Sequence, residues 1–198
     1  MIVVVAALKG GVGKTTTAVY LAAAAGGPKR SATLVDSDPQ GSAADWVEHG
    51  ADQVFESMDV VEAPTERLLV KFLDRVEADD VAVVDTPPGH ERLLAKALER
   101  ADVVVIPTRV GGVETARVEA VLDMVPKRLA AGLVFSSART FTRDYQETLA
   151  MWLEAGVPIW GTIPERVGIA AGPDGWLSAE GLELYGEVLR KARRATRS

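Results

Sequence analysis

The chain contains no cysteine. That one absence excludes a disulfide framework, cysteine metal sites and thiol nucleophiles. Imidazole is scarce as well: His49 and His90 are the only histidines, too few for a multi-histidine metal site. No segment approaches the ~18 uninterrupted apolar residues expected of a membrane span. The apolar start, Met1-Ile2-Val3-Val4-Val5, has no basic residue before it and is interrupted at Lys9, unlike a secretory signal. These absences predict a cytoplasmic protein.

What is present is ordinary globular material. The chain has 198 residues, 47% hydrophobic and 25% charged, enough for one domain with a substantial core. The net charge is −6, which as an average argues against nucleic acid. Its distribution says something different. Arg190, Lys191, Arg193, Arg194 and Arg197 crowd the end of the chain with no acid among them. The body that precedes them is therefore five charges more negative than the whole.

Short apolar, β-branched runs alternate with helical patterns. Strands are expected at 2–6, 32–35, 81–84, 103–106 and 133–135, with a further candidate at 157–161 that Pro158 weakens. Helices are expected over roughly 14–25, 42–49, 65–77, 90–99, 112–124, 142–155 and 179–195. This alternation predicts one α/β domain, 1–198, with a mostly parallel twisted sheet and helices on both faces. A basic tail at about 190–198 is expected to follow. In such sheets ligands sit beyond the carboxyl ends of the strands. Three of those ends carry chemistry here: residues 9–16, 36–40 and 85–89.

The first is Lys9-Gly10-Gly11-Val12-Gly13-Lys14-Thr15-Thr16. Glycines let backbone N–H groups turn inward around phosphate oxygens, and the helix that follows aims its positive end at the same place. Lys14 suits the β- and γ-phosphates, and the Thr15 hydroxyl suits Mg²⁺. The pattern G-x-x-x-x-G-K-[ST] is broken at one end, where Leu8 replaces the first glycine and Lys9 stands beside it. A side chain leaving the first turn of such a loop points away from its own γ-phosphate. Lys9 is then either a solvated surface lysine or a cation that reaches a phosphate in another subunit.

Asp36 and Asp38, in Asp36-Ser-Asp-Pro-Gln40, suit turn and cap chemistry. Beside a phosphate loop they also suit a shared task, one holding the Mg²⁺ water shell and the other positioning the attacking water. Asp85 ends an apolar strand with no cation adjacent in sequence. A bare carboxylate is costly there, and a Mg²⁺ ion bound through water would supply the missing charge. Thr86-Pro87-Pro88-Gly89 stiffens the exit and ends in a flexible glycine, as a γ-phosphate sensor would.

Together, Lys9–Thr16, Asp36–Gln40 and Asp85–Gly89 resemble the deviant Walker A motif, the second signature and the Walker B region of the ParA/MinD family of P-loop ATPases. They anchor the first half of the chain. The resemblance implies a weak, partner-stimulated ATPase using ATP and Mg²⁺, and a homodimer that forms on ATP. It makes Lys9 the signature lysine that contacts nucleotide across the dimer, and Asp38 the residue that positions water. Asp36 becomes the structural or metal-shell partner, with Thr15 and Asp85 at the metal. Relatives read adenine with an asparagine at the end of a late strand. Ser136-Ser137 stands there instead, and the Pro164-Glu165-Arg166 loop is expected to flank the base.

The last helical stretch places Leu182, Tyr185, Val188 and Leu189 on one face, but beyond Leu189 only Ala192 and Ala195 are apolar. A membrane-inserting helix needs bulky apolar residues among its basic ones, so no membrane partner is expected. Arg190, Lys191, Arg193 and Arg194 suit a phosphate backbone read without sequence, or form a solvated basic terminus. With the P-loop strand starting at Met1, no N-terminal DNA-binding extension like that of larger relatives is expected. The expected function is that of a short ParA: a nucleoid-associated ATPase that binds DNA non-specifically and partitions plasmid or chromosome with a centromere-binding partner. The alternative is a ParA-like positioning ATPase working through another adaptor. A metabolic P-loop enzyme is disfavoured, because no substrate domain is visible.

Overall fold

The computed structural model describes residues 1–27, 32–50, 58–170 and 177–197. Seven strands form one parallel sheet in the order β3-β2-β4-β1-β5-β6-β7. They are β1 (Ile2–Val5), β2 (Ala32–Asp36), β3 (Met58–Glu62), β4 (Val81–Asp85), β5 (Val103–Thr108), β6 (Ala130–Ala138) and β7 (Ile159–Pro164). The helices are α1 (Lys14–Ala25), α2 (Ser42–His49), α3 (Glu66–Leu73), α4 (Glu91–Arg100), α5 (Gly112–Met124), α6 (Arg143–Glu154), α7 (Val167–Ala170) and α8 (Ala179–Ala195).

Strand alternation divides the core into two layers. Val3 and Val5 of β1 pack with α1, α2 and α8, whereas Ile2, Val4 and Ala6 pack with residues of α3, α4, α5 and α6. Helix α1 packs on the sheet alongside α8 and buries nine of its twelve residues. Its alanines allow that, since they present little volume on any side. Tyr20 of α1 stacks on Tyr185 of α8 with ring centroids 5.1 Å apart. Gly161 brings α8 down onto β7, where a Cβ would stand 2.6 Å from a Val188 methyl.

Two elements were not expected. Strand β3, Met-Asp-Val-Val-Glu, lies at the sheet edge with only Met58 buried; its charges protect an edge and hide its strand character. The other is the single helical turn α7. Strand β6 begins earlier than expected, through Ala130-Ala131-Gly132, and β7 is displaced toward Pro164. Helix α3 stops at Leu73.

Parallel register sets the functional edge. Asp85 aligns with Val5 on one side and with Asp36 on the other. Two carboxylates therefore stand side by side at the carboxyl end of the sheet, next to the strand that feeds the glycine loop.

Candidate nucleotide and metal site

The loop after β1 turns sharply because Gly11 and Gly13 adopt left-handed φ values of 75° and 90°, which L side chains rarely tolerate. Gly13 is also the N-cap of α1, and no side chain caps that end or places an acid in its first turn. The first N–H groups of α1 and its positive dipole end are thus left for an anion. A Cβ on Gly13 would approach Ser136 Oγ to 3.2 Å, so β6 packs closely under the loop.

Lys14 opens α1 and is 6% exposed. Its Nζ donates to the Lys9 carbonyl at 2.7 Å. Burial holds its pKa below the ordinary lysine value, while Asp85 and Asp38 pull the other way. Asp85 is 1% exposed, and its Oδ1 has no hydrogen-bond partner among the described residues. Burial pushes its carboxyl up to about 7; the Thr15 hydrogen bond opposes this, Asp36 adds to it, Lys14 opposes it and Asp38 adds slightly. An unsatisfied, nearly buried carboxylate oxygen beside a threonine hydroxyl is a poor arrangement by itself. It fits a divalent cation held by oxygen and water.

Asp36 is nearly buried and its carboxylate is largely engaged. Oδ1 accepts the Asp38 N–H at 3.0 Å, and Oδ2 accepts those of Ala43 and Ala44, both at 2.9 Å. It thereby caps α2, whose own N-cap, Gly41, offers no side chain. Of the two roles expected for Asp36, these bonds account for the structural one. Asp38, half-buried, accepts the Gln40 N–H at 3.0 Å. Thr86 donates to the Val5 carbonyl at 2.7 Å, tying the exit of β4 to β1.

A cleft of about 340 Å³ opens at this edge, a size suited to a small ligand. Its walls include Gly10, Gly11, Gly13, Lys14, Thr15, Thr16, Asp38 and Pro88, with Ser136, Pro164 and Arg166 across from them. The expected loop, water-positioning and base-flanking residues therefore meet in one place. Val12 instead turns into the protein, 3% exposed. Asp36 and Asp85 lie beneath the cleft rather than on its wall. Lys9 is also not on the wall: its Nζ reaches Glu114 Oε1 at 2.6 Å.

Some cleft residues were not read as site residues from the sequence, Ile163 of β7 among them. Arg109 follows β5, and Ile169 comes from α7, an element not expected. Tyr185 read as core, and it is core, but its edge also lines the cleft. Its hydroxyl lies 3.3 Å from Thr17 Oγ1. Burial drives its pKa up to about 12 against the neighbouring Thr17 hydroxyl. Ser136 and Ser137 sit at a register irregularity between β6 and β7. Ser137 has φ 50°, and the buried Ser136 hydroxyl neighbours that of Tyr185. Bulges of this kind re-aim side chains next to sites.

The basic cluster lies elsewhere. Arg190, Lys191, Arg193 and Arg194 belong to the last turns of α8, with Ala192 buried between them, so most of the expected tail is helical. Cations there favour the negative end of the helix dipole. Among the described residues no helix is long and apolar enough to cross a membrane.

Residues 3–175 match the family profile described as the CobQ/CobB/MinD/ParA nucleotide binding domain. The chain is 30% identical to Protein ParA of Rhizobium radiobacter over 168 residues, 80% of this chain and 75% of that protein. It is 46% identical to the maintenance of carboxysome distribution protein A of Gloeobacter kilaueensis over 101 residues, 50% of this chain and 45% of that one. Among solved structures, the septum site-determining protein MinD from Pyrococcus horikoshii, complexed with Mg-ADP, superposes with a TM-score of 0.75 at 18% identity. That match covers 96% of this chain and 94% of the other. The chain belongs to the CobQ/CobB/MinD/ParA family of P-loop nucleotide-binding proteins.

Proposed function

We propose that this chain is an ATP-driven dimerising switch of the ParA type. Two copies pair across bound ATP, the pair binds DNA without sequence preference, and hydrolysis resets it. The observation that carries this reading is the opposition of Lys14 and Asp85. Both are nearly buried, Lys14 at the start of α1 and Asp85 at the end of β4, and Asp85 keeps an unpartnered oxygen beside Thr15.

Lys14 and the first N–H groups of α1 neutralise and orient the β- and γ-phosphates. Thr15 and Asp85 would hold Mg²⁺, with Asp36 behind them, and the ion would supply positive charge to the phosphate oxygens. Asp38, at the cleft wall, orients the attacking water. Pro164 and Arg166 flank the base, and Lys9 serves the partner's nucleotide. Turnover is slow, well under the ~1–100 s⁻¹ of kinases, until a centromere-binding or adaptor protein stimulates it. The basic end of α8 supplies the DNA contacts that would place the protein on the nucleoid.

Sedimentation with and without ATP, Mg²⁺ and a DNA duplex tests this reading. A monomer without nucleotide, and an ATP-dependent dimer that carries DNA, are expected. A chain that binds DNA equally without ATP overturns it.

The likeness to a carboxysome distribution protein favours a second reading, in which the same switch positions a protein complex. The stimulating partner separates the two. Turnover raised by a centromere-binding protein encoded beside this chain supports partition. Turnover raised only by a partner that binds no DNA supports positioning.

A further inference from the structure

Lys9 has a definite place in the single subunit. Its Nζ pairs with Glu114 Oε1 at 2.6 Å, in the first turn of α5. The two residues are 105 positions apart, and neither lines the nucleotide cleft. The lysine side chain is 44% exposed and the glutamate side chain 11%. A half-exposed cation is thus held by a nearly buried anion.

We propose that Glu114 is a positioning residue for this switch, holding Lys9 on its own subunit until a second subunit approaches, with Arg117 making the release reversible. The proposal rests on the reading of Lys9 as the cation given to the partner's nucleotide.

Arg117 shares the Glu114 carboxylate with Lys9. Its Nη1 lies 3.0 Å from Glu114 Oε1, the same oxygen that accepts from Lys9. A buried carboxylate that lost its only cation would be strongly disfavoured, and such a pair would not open. Here Arg117 remains when Lys9 leaves. So does the positive end of α5, because Glu114 lies in its first turn. Release exposes no lone buried charge. Lys9 gives up a pair that is half in water on its own side, which is a weak hold. The two positions of Lys9 are then close in free energy, and a new anion such as a partner's triphosphate can decide between them. The backbone of residue 9 need not move, since its carbonyl stays with Lys14.

The test is ATP-dependent dimerisation of the full chain, measured by analytical ultracentrifugation across protein concentration. Glu114→Gln keeps the shape and weakens the hold on Lys9. Half-dimerisation is expected at roughly 2- to 5-fold lower concentration. Arg117→Gln removes the alternative partner and should shift the midpoint the other way. A damaged fold would not ease assembly, so a gain in Glu114→Gln is not a structural side effect. In the nucleotide-free monomer, the ¹³Cε resonance of Lys9 should move on Glu114→Gln; an unmoved resonance overturns the pairing. A wild-type chain that stays monomeric with ATP overturns the reading of Lys9 on which the proposal rests. A wild type that dimerises with ATP, beside a Glu114→Gln variant that assembles no more readily, overturns the positioning role alone.

Discussion

Lys14 Nζ donates to the carbonyl oxygen of Lys9 at 2.7 Å, so the loop's two lysines are joined through the backbone of one of them. Their side chains serve different neighbours. Lys14 faces Asp85 and Asp38 beside the cleft, whereas Lys9 runs outward to Glu114. The roles proposed for the two can therefore be separated by substitution.

Lys14→Ala removes the main cation facing the phosphates. ATP affinity should fall by roughly two orders of magnitude or more, as for other truncated, desolvated charge pairs. Asp38→Ala should instead bind ATP nearly normally and hydrolyse it poorly, by roughly 10²-fold or more if water positioning resembles general-base loss. Calorimetry and phosphate release measure the two effects. Near-normal affinity in Lys14→Ala, or unchanged turnover in Asp38→Ala, would remove the residue from its role.

Asp85 gives a pH prediction. Its carboxyl is raised from 3.8 to about 7, chiefly by burial. A carboxyl raised on folding binds more protons in the folded chain than in the unfolded one between those values. Its favourable contribution is thus present at low pH and is lost as pH rises from about 4 through about 7. The ceiling is about 4 kcal/mol, at 1.36 kcal/mol per unit. In EDTA, Asp85→Asn should unfold at higher temperature than the wild type at pH 8 and show little advantage at pH 4.5. A variant less stable than wild type at pH 8 would mean that Asp85 has a charge partner without metal. Mg²⁺ with nucleotide should narrow the gap, by stabilising the ionised form in the wild type alone.

The phosphate loop and the strand–helix order were legible because they are local: glycines, a lysine and apolar runs occupy consecutive positions. Strand β3 was not, because Asp59 and Glu62 are tolerated only at a sheet edge, and edge position is a property of the whole sheet. The capping of α2 by Asp36 depends on Gly41 adopting a left-handed turn that returns Ala43 and Ala44 to it. Read linearly, Asp36 looked equally suited to metal. Arg109 lacked a signal because an arginine after a strand is common and only the register of β5 carries it to the cleft. The Lys9–Glu114 pair spans 105 residues, and nothing local marks it.

DNA binding offers a test of the end of α8. Each phosphate contact contributes roughly −0.9 to the slope of log affinity against log salt. Replacing Arg190, Lys191, Arg193 and Arg194 with Ala should flatten that slope while ATP hydrolysis persists. The same change removes favourable charges from the helix end, so circular dichroism should accompany the measurement. An unchanged slope moves the DNA surface, with Arg139 and Arg143 the next residues to replace.

Lys9→Ala is the sharpest case, because it should damage assembly without damaging the site it sits beside. Lys14, the glycine N–H groups and the α1 terminus remain, so the monomer should still bind ATP. Glu114 keeps Arg117 at 3.0 Å. The lysine it loses is half exposed, so the cost to monomer stability should be about 1 kcal/mol or less. Two triphosphates brought together without Lys9 repel each other with less neutralisation between them. ATP-dependent dimerisation, or the hydrolysis that follows it, should therefore fail. Mixing adds a second measure. In a heterodimer with Lys14→Ala, the nucleotide held by the Lys9→Ala subunit receives Lys9 from its partner, and hydrolysis above either variant alone is expected. A structure of the closed dimer with an ATP analogue decides the matter. Lys9 Nζ should lie within about 3 Å of the partner's phosphate oxygens, and a lysine still on its own Glu114 in that dimer would end its assignment in trans.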